Sequence, residues 1–150
     1  MNNGISDAVK LVEALKAGLG EANCDIAVCP PAIALQAVKT ASVGSAIKVG
    51  AQNCHPEAKG AFTGEVSANM LAGLVDYVIV GHSERRQLFG ESDAFVNRKV
   101  QAVLNYGMTP ILCMALKWIH FGMHCCSAYC YPSLIHLYIS RPLRRRMLNG

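Results

Sequence analysis

The last 34 residues of this chain, positions 117 to 150, contain no aspartate and no glutamate. All ten acids lie in residues 1–116, together with nine of the fourteen lysines and arginines. The first part therefore nets −1 and the acid-free part +5, so the overall +4 describes neither. The acid-poor segment also holds three of the five histidines, three of the seven cysteines and half of the ten aromatic residues. Composition thus divides the chain near Ala115 into residues 1–116 and residues 117–150, the second expected to be an unrelated, disordered tail. Charge is scarce elsewhere too, at 16% against 52% hydrophobic residues. That balance excludes general disorder and suffices for one domain with its own core. A basic segment leading into a long apolar run is missing from the first twenty residues, so no secretory signal is expected. The cysteines lack the look of a disulfide framework. Cys24, Cys29, Cys54 and Cys113 sit in or beside apolar runs, where a reduced thiol serves as a small hydrophobe. A reducing, cytoplasmic compartment is expected.

What remains in residues 1–116 is a regular alternation. Ile5 to Leu19 has helical spacing, with Ala8, Val9, Leu11, Val12, Leu15 and Leu19 on one side and Ser6 or Asn3 as candidate caps. "CDIAVCPP", "AIKVGAQN", "DYVIVGHS" and "MTPILCM" are short apolar runs without polar alternation, as in strands covered on both faces. Between them lie helical segments: "PAIALQAVKTA", the short "VSANMLAGL", and "SDAFVNRKVQAVLNYG" with Ser92 as N-cap and Gly107 as stop. "HPEAKGAFTGE" reads as a long polar loop. Strands of this kind alternating with helices predict an α/β domain with a parallel sheet.

Ligands of such sheets meet the carboxyl ends of the strands. In "DYVIVGHSERRQLFGE", His82 stands at one of those ends, ahead of a short helical turn, "SERRQLF". Imidazole exchanges protons near neutrality, and the positive end of a helix disfavours imidazolium. His82 is thus a candidate acid, base or hydrogen-bond donor, or else a histidine that merely caps a buried strand.

The longer motif favours the first alternative. "GHSERRQLFGE" closely resembles the signature of the triosephosphate isomerase family, and the resemblance runs through "AQNC", "KGAFTGEVSANML", "DYVIVGHSERRQLFGESDAFVNRKVQAVLNYGMTPILC" and "VCPP", some 115 residues. It implies a partial TIM (β/α)8 barrel, with about four parallel strands and their helices, lacking the first strand and the C-terminal half. It implies interconversion of dihydroxyacetone phosphate and glyceraldehyde 3-phosphate through an enediolate, without cofactor or metal, by a homodimer. Matched by position, His82 is the electrophile facing the substrate oxygens; this family is the standing example of a neutral histidine in that role, so the assignment is inherited. Ser83 and Glu84 match supporting residues, Glu84 a buried carboxylate. Thr63 matches the tip of a loop that braces the partner subunit. Arg85, Arg86 and Glu91 match ion-pairing positions near that interface, with Arg85 and Glu91 taken as dimer contacts.

The resemblance also implies parts that no stretch of this chain matches: an Asn-x-Lys segment, a glutamate base in a segment like "YEPVWAIGTG", and Gly-rich phosphate loops. A general base contributes on the order of 10²–10⁴-fold, and a group stabilising developing charge roughly 10²–10³-fold. The chain alone is therefore expected to be inactive, the alternative role being a non-catalytic product that binds a full-length subunit or another partner. In the tail, His120, His124, Cys125, Cys126 and Cys130 could hold zinc chemically, but their spacing fits no standard module. The apolar run from Trp118 to Ile139 contains three histidines and Pro132, a poor membrane span, and "RPLRRR" reads as a solvated basic end. Neither membrane nor nucleic acid is expected as a partner.

Overall fold

A computed structural model describes residues 2–19, 24–114 and 136–140. Helix α1 (Ile5–Gly18) opens the fold, followed by strand β1 (Asp25–Cys29), a 3-10 turn (Ala32–Ala34) and α2 (Leu35–Ala41). Next come β2 (Ile47–Ala51), α3 (Ala68–Leu71), β3 (Tyr77–Val80), α4 (Ser83–Leu88), α5 (Asp93–Asn105) and β4 (Thr109–Leu112). A last strand, β5, spans His136–Ser140.

The sheet order is β4-β3-β2-β1-β5, and the first four strands are parallel. Each parallel strand in turn adds beside the one before it, with no reversal of direction. A doubly wound sheet would reverse at a switch point; steady winding with right-handed crossovers puts the helices on one face, as in a barrel. The fold is thus the expected partial (β/α)8 barrel of four parallel strands with helices. On the helical side, Val28, Val49, Val78 and Val80 from the strands meet Ala8 and Val12 of α1, Leu35 and Val38 of α2, Leu71 of α3 and Val103 of α5 in one buried cluster.

Local chemistry explains most element ends. Ser67 and Ser92 cap α3 and α5, each hydroxyl accepting from the amide three residues on, at 3.2 Å in both cases. Gly107, at φ +73°, ends α5 as the sequence predicts. The start of α1 differs from expectation: its N-cap is Gly4, with no side-chain hydrogen bond, and neither Ser6 nor Asn3 takes that place. Asn3 instead adopts φ +65°, a left-handed turn that asparagine tolerates. At the other end, the Lys16 ammonium donates to the carbonyls of Ala41 and Val43 at 2.9 and 3.0 Å. A cation there complements the exposed carbonyls ending α2.

The amino ends of the strands are stitched by Asp76. Its carboxylate accepts from the Val49 amide and from the Lys39 ammonium, both at 3.2 Å. Burial raises its pKa, but those two donors outweigh it and hold the carboxyl below its ordinary value.

The tail departs from the expectation of disorder at residues 136–140. There "HLYIS" alternates polar and apolar residues of types that favour strands, between Pro132 and Pro142, and it pairs antiparallel with β1. The remaining tail, with its histidine and cysteine cluster and "RPLRRR", lies outside the described residues. Among the described residues, no helix is long and apolar enough to cross a membrane.

Leu71, 1% exposed in the cluster between sheet and helices, gives a direct check of this core. Leu71→Ala is expected to destabilise the fold by about 2–5 kcal/mol, as a large-to-small change in a packed core does. The denaturant midpoint measures it; a loss well under 1 kcal/mol contradicts the packing described.

Candidate active site

His82 follows β3 and Gly81. Gly81 sits at φ +71°, and a Cβ there would come within 3.0 Å of Val96 and of the Arg86 guanidinium and within 3.1 Å of the Cys113 carbonyl. Only glycine fits so tight a turn between strand and helix. Its carbonyl is held in turn by Arg86, whose Nε donates to it at 2.8 Å while Nη1 pairs with Asp93 at 2.5 Å. The backbone just before His82 is therefore clamped to the start of α5.

His82 itself is the N-cap of α4. Its Nδ1 accepts from the Glu84 amide at 3.3 Å, and its side chain is 16% exposed. In a neutral ring, an accepting Nδ1 puts the proton on Nε2. Nε2–H is then a hydrogen-bond donor at the carboxyl end of the sheet. Ser83 is exposed as the first residue of α4.

Glu84 differs from what the resemblance implies. Its carboxylate lies 3.8 Å from Nδ1 and is 74% exposed. At that exposure its attraction for the ring is weak.

Behind α4 lies a buried polar cluster. Glu91, its side chain 3% exposed, accepts from Arg85 at 2.5 Å and from Lys99 at 2.6 Å; Lys99, 1% exposed, also donates to the Asn53 side chain at 2.7 Å. Glu91 thus joins α4 to α5, and Lys99 joins α5 to the segment after β2. Burial raises the Glu91 pKa, yet the hydrogen bonds and charges of Lys99 and Arg85 outweigh it and leave the carboxyl below its ordinary value. Burial lowers Lys99 below the ordinary lysine value, with Glu91 opposing.

Sequence reasoning found Arg85 and Glu91 but missed Lys99 and Asn53. The signal for Lys99 was its place on the buried stripe of α5, three residues after Val96 and four before Val103. His55 was missed as well. Its Nδ1 accepts from the Glu57 amide at 3.2 Å and its ring stacks on Phe62 with centroids 4.0 Å apart, which shapes the polar loop.

The structure brings Thr63, Arg85 and Glu91 together around one cavity of about 880 Å³, also lined by His55, Phe62 and Phe89. The second carboxylate oxygen of Glu91, Oε2, is buried there without a hydrogen-bond donor among the described residues. His82 does not line that cavity, so the residues expected to face a substrate and those expected to face a partner form two separate groups. Among the described residues, no group of three or more His, Cys, Asp or Glu could hold a metal ion. Cys29 and Cys54 are buried free thiols, with burial pushing their pKa up to about 12 and about 11. Neither is a thiolate nucleophile at neutral pH.

Two outcomes follow from this geometry. Whenever the His82 ring is neutral, nitrogen-15 NMR should show the proton on Nε2 and none on Nδ1; the opposite tautomer contradicts the cap. A carboxyl whose pKa is lowered by folding adds stability that is full above its unfolded value of about 4.5 and lost as pH falls. The wild-type chain should therefore lose more stability between about pH 6 and about pH 3.5 than Glu91→Gln does, as measured by urea midpoints. Equal losses contradict the role given to Glu91.

Comparison with known proteins agrees with this architecture. The family model described as triosephosphate isomerase matches residues 1–117. The triosephosphate isomerase of Clostridium novyi (strain NT) is 57% identical over 115 residues, which are 76% of this chain and 46% of that protein. The enzyme of the same name from Acetivibrio thermocellus is 55% identical over 115 residues, with the same coverage of each, and that of Clostridium perfringens (strain 13 / Type A) is 54% identical over 114 residues. The chain thus spans about half the length of the curated relatives it matches. With the strand–glycine–histidine turn, the clamped α4 and a match over residues 1–117, the chain belongs to the triosephosphate isomerase family.

Proposed function

We propose that this chain carries the electrophilic part of a triosephosphate isomerase active site. In the complete enzyme, the Nε2–H of His82 donates to the carbonyl oxygen of dihydroxyacetone phosphate. As a proton leaves the adjacent carbon for the glutamate base that the family implies, that donor stabilises the charge growing on the enediolate oxygens, and return of a proton to the former carbonyl carbon gives glyceraldehyde 3-phosphate. Such a donor acts by being preorganised where charge develops. The observation that carries this reading is the place of His82 just after β3, as N-cap of α4 with Nδ1 accepting from the Glu84 amide, which in the neutral ring puts the proton on Nε2. Ser83 and Glu84 support the turn that aims the ring. No cofactor takes part, and the reaction serves glycolysis and gluconeogenesis in the cytoplasm.

The partner in this reading is a second triosephosphate isomerase subunit, making a homodimer. The loop carrying Thr63 is exposed, and the Arg85–Glu91 cavity beside it holds a buried acceptor, Glu91 Oε2, without a donor among the described residues. A hydroxyl from a partner's loop has the chemistry to satisfy it.

The 150-residue chain alone is proposed to be inactive, since no stretch of it matches the family's lysine, its glutamate base or its phosphate loops. Purified chain assayed with dihydroxyacetone phosphate should give no turnover above buffer. Steady turnover abolished by His82→Ala would overturn the inactivity while supporting the histidine's role. Turnover that survives His82→Ala would contradict the site itself. A chain that still pairs with a full-length subunit while inactive would act as the non-catalytic binding product.

A further inference from the structure

Residues 57–65 are all exposed, yet the loop they form, which carries Thr63, is built around one buried residue, His55. We propose that His55 is a positioning residue for that loop, shaping it from within so that Thr63 is presented to a partner subunit before the partner arrives. Presentation to a partner rests on the homodimer reading above; the shaping of the loop does not.

His55 acts through its backbone and its ring together. Its amide donates to the Val66 carbonyl at 2.8 Å, and its carbonyl accepts from the Ala68 amide at 3.2 Å. One residue thus closes the neck of the loop. Above the neck, Nδ1 accepts from the Glu57 amide at 3.2 Å and fixes the first turn. The ring then stacks on Phe62, the residue just before Thr63, with centroids 4.0 Å apart. Contacts of this kind between rings contribute beyond the area they bury.

The rest of the loop accommodates that stack. Gly60 stands at φ +146°, and a Cβ on it would lie 2.7 Å from the Phe62 ring, so glycine is what lets the ring fold back. The Glu65 amide donates to the Phe62 carbonyl at 3.0 Å, closing a turn with Thr63 and Gly64 at its centre and Gly64 at φ +91°. The His55 ring also meets the Phe95 ring of α5 edge-on, with centroids 5.8 Å apart, and Glu57 pairs with Arg98 of the same helix at 3.6 Å. Thr63 is thereby held in register with α5. An exposed loop that orders only on binding weakens association by the entropy it loses, and a loop already ordered avoids that loss.

Amide exchange of the full chain reads the shaping. Asparagine puts an amide oxygen where Nδ1 stands but has no ring, whereas phenylalanine keeps a ring and has no acceptor. In His55→Phe the Glu57 amide should exchange about tenfold faster or more. In His55→Asn it should stay within about threefold of the wild type while the Glu65 amide speeds up. Gly60→Ala, which displaces Phe62 and leaves His55 intact, should speed the Glu65 amide likewise. Residues 47–51 and 77–80 should keep their protection throughout. Wild-type Glu57 and Glu65 amides that exchange like an unstructured segment overturn the shaping, as does unchanged Glu65 exchange in both His55→Asn and Gly60→Ala. Should a His55 variant lose protection everywhere, Gly60→Ala decides, because Gly60 is exposed. Docking is read by titrating the chain against a fluorescently labelled full-length triosephosphate isomerase subunit. The wild type should bind it, and His55→Phe and Gly60→Ala should bind about tenfold more weakly. Equal affinities overturn the presentation of Thr63. No binding by the wild type contradicts the homodimer reading, and the presentation with it, while the exchange result still decides the shaping.

Discussion

The buried contact between Glu91 and Lys99 is the constraint on which the placement of the site depends. Both side chains are almost fully withdrawn from water, and their charged ends meet at 2.6 Å. Removing two charges from water costs several kcal/mol per ion, which a single contact seldom restores. The opposed effects on Lys99, lowered by burial and raised by its partner, express that tension. The value of the pair lies in geometry. Glu91 also holds Arg85 on α4, and Lys99 also holds Asn53 after β2, so three segments meet at one ion pair. With Arg86 clamping the Gly81 carbonyl, the turn bearing His82 is fixed from both sides.

That arrangement separates two jobs along one short helix. The start of α4 presents His82 at the carboxyl end of the sheet, where a parallel sheet receives its ligand. The helix interior and the residues after it face the cavity that also holds Thr63. A displacement of α4 would disturb both at once.

Much of this was legible in the sequence. The four parallel strands read clearly because each is a short apolar run without polar alternation, and α5 because Ser92 and Gly107 mark its ends. What escaped did so for physical reasons. Lys99 looks like an exposed helical lysine until the stripe from Val96 to Val103 is seen to face the core. The cap of α4 was open because serine is the commoner cap, yet here the imidazole of His82 reaches the Glu84 amide. The exposure of Glu84 depends on what packs over α4, which no local pattern encodes. β5 was hidden because five alternating residues mean little until an open strand edge stands beside them.

The central claim, that Glu91 and Lys99 act as one unit, is tested most directly by a double-mutant cycle on unfolding free energy with Glu91→Leu and Lys99→Met. Glu91→Leu leaves Lys99 buried with Asn53 but no carboxylate, and Lys99→Met leaves Glu91 with Arg85 alone; each should cost about 3–5 kcal/mol, whereas the double change should cost clearly less than the sum. A coupling of about 2–3 kcal/mol is the predicted result. Additive losses, with coupling near zero, would show that the two residues do not hold the site together.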